Sequence, residues 1–221
     1  MTRLILVRHA RSVANAQGVL AGRSPGIDLD EIGIAQAAAL AETLKEVEVD
    51  FIVRSSLIRT AQTIAPLIAM RPEIPVHIDD RITECEYGEW TGKSLSELAK
   101  DPLWKVVLKN PSHVTFPQGE SMKAMALRAA ACINFWNQET DKTWMMVAHG
   151  DVIKSILADA LAMHLDNFQR IAVQPASISI IDFAPTSETV VTMNHTEANS
   201  LQAMLRSVKA EPTTGGGDVV V

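Results

Sequence analysis

The sequence predicts a three-layer α/β/α sandwich on a mostly parallel central sheet. Short apolar runs alternate along the chain with longer segments of helical composition, and the early runs lead into helices rather than into a second strand. That alternation implies strands joined by crossover helices, hence a sheet covered on both faces. With 47% hydrophobic residues in 221, the chain has apolar side chains enough for one sizeable core.

The elements follow in order. Leu4-Ile5-Leu6-Val7 is a continuous apolar run closed by Arg8, which reads as a buried strand. Asp28 to Lys45 is alanine-rich and reads as a helix with Asp30 at its N-cap. Phe51-Ile52-Val53 is a second strand, and Leu57 to Met70 is the helix after it, ended by Pro72 and Pro75. Val76 to Ile78 reads as a third strand, and residues 84 to 93 as a loop around Gly88 and Gly92. Lys93 to Asn110 reads as short helices bracketed by Pro102 and Pro111, with Lys93, Lys100, Lys105 and Lys109 on a solvated face. Glu120 to Asn137 is a long helix; its Met122 and Met125, like Met145 and Met146 further on, read as core filler. Trp144 to Ala148 is a strand and Val152 to Met163 the helix that follows. Ile178 to Phe183 and Thr189 to Met193 form a terminal pair of strands. The expected organisation is one domain over 1–208 with a helical capping segment at about 93–116, then a flexible glycine-rich tail over 209–221.

Composition narrows the function classes. A formal charge of -6 speaks against a general nucleic-acid binder, which carries a basic surface. A small anionic substrate stays admissible, because a local arginine cluster can outvote a weakly acidic surface. Cys85 and Cys132 are too few and too far apart in sequence for a disulfide framework or a zinc knuckle. No apolar stretch approaches the roughly 18 residues of a membrane span, and Leu4 to Val7 is too short for a signal-peptide core. The expectation is a cytoplasmic protein with neither membrane nor nucleic acid as partner; a homodimer is compatible with the sequence.

Ligands of such sheets bind at the carboxyl ends of strands. Four groups of chemically capable residues stand there or in adjoining loops: Arg8-His9-Ala10-Arg11-Ser12 with Asn15; Arg54-Ser55-Ser56 with Arg59; Glu84 beyond Asp80-Arg81; and Ala148-His149-Gly150-Asp151. Arginine presents forked donors to phosphate oxygens. A neutral imidazole can attack phosphorus and carry the phosphoryl group. A carboxylic acid would then protonate the leaving oxygen. No pair of histidines has close metal-ligand spacing, so neither metal nor cofactor is expected.

These residues also carry a resemblance. Leu6-Val7-Arg8-His9-Ala10-Arg11-Ser12 with Asn15, Ser55 through Thr63, Glu84 through Gly92, Gly119-Glu120-Ser121 and Val147-Ala148-His149-Gly150 resemble, in order, five motifs of the histidine phosphatase (phosphoglycerate mutase-like) superfamily. The match covers roughly residues 3 to 194, and the whole is most similar to a subgroup labelled probable phosphomutase, which shares the glycine-rich tail. The resemblance implies His9 as nucleophile and Glu84 as acid. Glu84 is preferred to Glu86 because it lies three residues before Tyr87. Arg8, Asn15, Arg59 and His149 would form the phosphate pocket, and Gly22, Tyr87 and Gly150 match positions near the substrate. Two positions depart from the pattern. Ala10 replaces a glycine, and Arg11 replaces an acidic or polar residue, either to contact a substrate anion or to point to solvent.

Rival motifs fail on spacing. Gly88 to Ser94 resembles a P-loop but has three residues between its glycines instead of four, and no strand precedes it. Asp28-Leu29-Asp30 does not follow an apolar strand, as an aspartate nucleophile would, and neither cysteine has an arginine six residues later. The expected activity is metal-independent hydrolysis of a small phosphomonoester through a phosphohistidine. The alternatives are a phosphomutase of the phosphoglycerate mutase type and a non-catalytic phosphate-binding protein. Hydrolysis is preferred to the mutase because no arginine lies between Gly88 and Gly119, where the known mutases carry an adjacent pair.

Overall fold

The computed structural model describes residues 1–138 and 141–196. In chain order its elements are β1 (Thr2–Arg8), α1 (Val13–Ala16), α2 (Glu31–Leu44), β2 (Phe51–Arg54), α3 (Ile58–Met70), β3 (Val76–Ile78), α4 (Leu95–Leu98), α5 (Pro102–Lys109), α6 (Met122–Trp136), β4 (Thr143–Ala148), α7 (Gly150–Ala160), β5 (Ile178–Phe183) and β6 (Glu188–His195). The strand order is β3-β2-β4-β1-β5-β6. The first four strands run parallel, and β5 and β6 join antiparallel at the β1 edge. The three-layer α/β expectation holds, as do all six strands.

Alternation along each strand sorts side chains to two cores. Leu4 and Leu6 of β1, Val53 of β2 and Trp144 and Met146 of β4 share one apolar cluster with α6, α7 and the segment over 95–116. Ile5, Val7, Ile52, Met145 and Val147 share the other with Leu40 and Leu44 of α2 and Ile64 and Leu67 of α3. Met122, Met125, Met145 and Met146 are all fully buried, as expected of core filler.

Several boundaries differ from the sequence reading for local reasons. Pro102 opens α5, with the Asp101 side chain accepting from Leu103 N at the cap; proline suits a first turn, where its missing N–H is not needed. Pro66 sits inside α3 and is tolerated there. Helix α7 begins two residues earlier than expected, directly at Gly150, so His149 is its N-cap residue. Gly88–Trp90 forms a single 3₁₀ turn, not a phosphate loop. The segment expected to act as a cap holds α4 and α5, and Trp90 packs against Trp104 and Phe116, Phe116 against Tyr87. The expected domain end at 208 and the tail over 209–221 lie outside the described residues.

Candidate active site

Strand register brings three of the four sequence groups together. Arg8 pairs with Ala148, and Arg54 with Val147. The ladder continues one residue past these strand ends: His9 N donates to Ala148 O and Ser55 N to Val147 O. His9, Ser55 and His149 therefore leave the sheet side by side, and the two imidazole centroids lie 5.2 Å apart.

His9 is 4% exposed, and its Nδ1 lies 2.7 Å from Ala10 O. A carbonyl only accepts, so Nδ1 carries the proton and Nε2 holds the lone pair. Burial, followed by the charges of Arg59 and Arg8, holds this imidazole well below the usual 6.5, hence neutral. His149 is fully buried and lowered likewise, burial first, then Arg59. Its Nε2 is 2.8 Å from Ser55 Oγ, which also accepts from Leu57 N. With Ser55 donating, the ring proton sits on Nδ1, a buried atom with no hydrogen-bond partner among the described residues.

The cations are buried too. Arg8 is 3% exposed and donates through Nη1 to Val173 O. Arg59 donates through Nη2 to Gly22 O, while its Nη1 is buried and has no hydrogen-bond partner among the described residues. Burial lowers Arg59 to about 10, which leaves it cationic at neutral pH. Gly22 adopts φ +51, and a Cβ there would stand 3.0 Å from the Tyr87 ring, so glycine suits both the backbone and the fit.

Glu84 is buried, whereas the Glu86 side chain is 40% exposed and faces Arg23. Burial, then the charge of Asp151, pushes Glu84 up to about 7. The acid loop is held by a clamp. Arg128 of α6 donates to the carbonyls of Arg81, Thr83 and Glu84, and Arg23 to that of Glu84. Glu120 accepts from both arginines and from Glu86 N.

The remaining expected residues are placed as follows. The side-chain oxygen of Asn15 accepts from Ser12 N and Oγ, closing a capping box on α1, so what it can offer a ligand is its amide N–H. Tyr87 is fully buried and donates to Asp151 Oδ2. Gly150 is buried at the start of α7. Ala10 keeps a backbone without positive φ and donates to Thr63 Oγ1. Arg11 has a partner within the protein. It pairs with Asp30, the N-cap of α2, and its N donates to Gln36 Oε1. A Cβ on Gly33 would stand 1.9 Å from Arg11 O, so the loop after β1 approaches α2 as only glycine allows. The sequence reading gave no role to Asp151, Lys154, Arg23 or Arg128. Asp151 stood beside His149-Gly150 in the sequence; nothing there signalled that it would be fully buried.

Fold and site together define a phosphoryl-transfer protein: neutral histidines and buried arginines at the carboxyl end of a parallel sheet. The chain belongs to the histidine phosphatase superfamily (branch 1), whose model matches residues 4–196. It is 32% identical to phosphoserine phosphatase 1 of Hydrogenobacter thermophilus over 89% of this chain and 93% of that one. It is 28% identical to the probable phosphoglycerate mutase GpmB of Proteus mirabilis, over 83% and 86%. Among solved structures it resembles a phosphoserine phosphatase mutant of Entamoeba histolytica in complex with phosphoserine, at 25% identity, TM-score 0.80, and coverage of 90% and 100%.

Proposed function

We propose that this chain hydrolyses a small phosphorylated metabolite without a metal, through a phosphohistidine at His9. The observation that carries the reading is the tautomer of His9. Its Nδ1 is committed to Ala10 O, its ring is neutral, and its Nε2 lone pair lies among buried arginines.

In the first step Nε2 attacks phosphorus and the ester P–O bond breaks. The leaving oxygen takes the proton of Glu84, which the raised carboxyl still holds near neutrality. Arg59 Nη1, Arg8 and His149 Nδ1 offset charge on the non-bridging oxygens. In the second step Glu84, now a carboxylate, takes a proton from water as the water attacks phosphorus. The N–P bond breaks, inorganic phosphate leaves, and both residues return to their starting forms.

Hydrolysis rather than transfer between two hydroxyls is supported by the far end of the site. Arg11, which could have held a second anionic group, is engaged by Asp30. The segment from Gly88 to Gly119 holds no arginine, and Lys93, Lys100, Lys105 and Lys109 are exposed. A mutase must hold its dephosphorylated intermediate while it reorients, which calls for such contacts. Phosphoserine and 3-phosphoglycerate head the substrate panel, on the strength of the relatives, and the cytoplasm is the compartment this reading assigns. The test is phosphate release across phosphomonoesters by the wild type and His9→Ala. Release lost in the variant is expected. Label passing between two positions of one substrate faster than free phosphate appears would instead establish the mutase.

A further inference from the structure

Asp151 is an expensive residue to place where it is. It is fully buried, and a second buried carboxyl, Glu84, lies near enough for the two charges to interact. Two carboxyls in one dry site resist ionising together. The geometry gives negative charge more support at Asp151 than at Glu84. Asp151 Oδ2 accepts a 2.8 Å hydrogen bond from Tyr87 Oη, and Asp151 lies in the first turn of α7, an eleven-residue helix whose N-terminal dipole favours negative charge. Glu84 accepts one backbone bond, from Cys85 N to Oε1, and lies on no helix. Tyr87 also stands in the loop that carries Glu84, so the same bond ties the acid loop to the helix that His149 caps.

We propose that Asp151 is a positioning residue of the reaction: through the Tyr87 hydrogen bond it seats the acid loop and sets a buried carboxyl beside Glu84. The assignment rests on Glu84 being the general acid. The groups facing Glu84 from other elements act against Asp151. Arg8 at the end of β1 and Arg59 of α3 favour the ionised carboxylate, and the buried Lys154 of α7 interacts first with Asp151 and then with Glu84. Arg23 and Arg128 hold the Glu84 carbonyl. Burial comes first in holding the proton on Glu84, and the charge of Asp151 adds to it against these cations.

The test uses Asp151→Asn, which keeps an oxygen for Tyr87 and removes the charge, beside Tyr87→Phe, which removes the bond and keeps the charge. The readout is the alkaline limb of kcat/KM for an alkyl phosphate, which reports the free enzyme's acid. In Asp151→Asn the limb is expected to move down by about one pH unit, the scale of a nearby charge. An aryl phosphate, with its good leaving group, loses less. Tyr87→Phe is expected to lower kcat without that downward move. An unmoved limb in Asp151→Asn overturns the proposal. If Asp151→Asn does not fold, Asp151→Ser takes its place, and carbon-13 at the glutamate carboxyl, with the Glu84 signal assigned by Glu84→Gln, follows Glu84 in wild type and variant; an unmoved Glu84 titration overturns the proposal. Glu84 titrating in the ordinary range near 4.5 refutes the proposal. An alkyl-phosphate rate unaffected by Glu84→Gln would sink the acid assignment itself, and so separates the two failures.

Discussion

Replacing Glu84 with glutamine should slow the enzyme and stabilise its fold, the second increasingly as pH rises from about 4.5 to 7. In the folded protein burial and the charge of Asp151 raise this carboxyl from 4.5 to about 7. The unfolded chain releases the proton near 4.5, the folded one only near 7. Between those values the folded state binds more protons, so stability falls as pH rises, and the deficit is complete above about 7. At about 1.36 kcal/mol per pH unit the gap is worth about 3 kcal/mol. Glutamine has the same shape, can still accept from Cys85 N, and never ionises. Glu84→Gln is therefore expected to gain up to about 3 kcal/mol over the wild type at pH 8 and nothing at pH 4. For a chain of this size that raises the unfolding midpoint by about 6–12 °C at the higher pH. Denaturant unfolding of both proteins across this pH range measures it. A stability difference that does not grow from pH 4 to pH 8 would refute the reasoning.

Three further outcomes are expected. Activity on an aryl phosphate should survive strong chelation, since among the described residues no group of three or more His, Cys, Asp or Glu is placed to hold a metal; loss that magnesium or zinc restores would count against the mechanism. Vanadate should bind beside His9 and compete with substrate, and Arg59→Ala should weaken it at least tenfold, because the buried Nη1, without a hydrogen bond among the described residues, is lost; equal affinity for both proteins would remove Arg59 from the phosphate pocket. Gly33→Ala should lower kcat and cost several kcal/mol, because its Cβ would meet Arg11 O in the loop that carries His9; a variant equal to the wild type in unfolding and in rate would show that this approach has slack.

The strands and their helices were legible because apolar periodicity is a local property. Leu4 to Val7 and Trp144 to Ala148 could hardly be anything but buried strands, and they emerge as β1 and β4. The histidine and arginine groups were legible because each sits just past a strand end, where a parallel sheet gathers its ligands. Glu84 was separable from Glu86 in the sequence only through its spacing from Tyr87; burial of one and exposure of the other is a matter of how the loop lies. Arg11 looked free to meet a substrate because the sequence does not say that α2 packs close enough for Asp30 to claim it. The burial of Asp151 and its pairing with Tyr87 were illegible for the same reason. An acid in a helix's first turn is most often a solvated cap, and only the closure of α7 against the acid loop buries it beside Glu84 and gives it Tyr87 as a donor. Element type, the order of motifs and the nucleophile are written in short stretches of chain. Protonation state and charge pairing depend on which residues far apart in sequence share one dry space, and that is decided only when the layers pack.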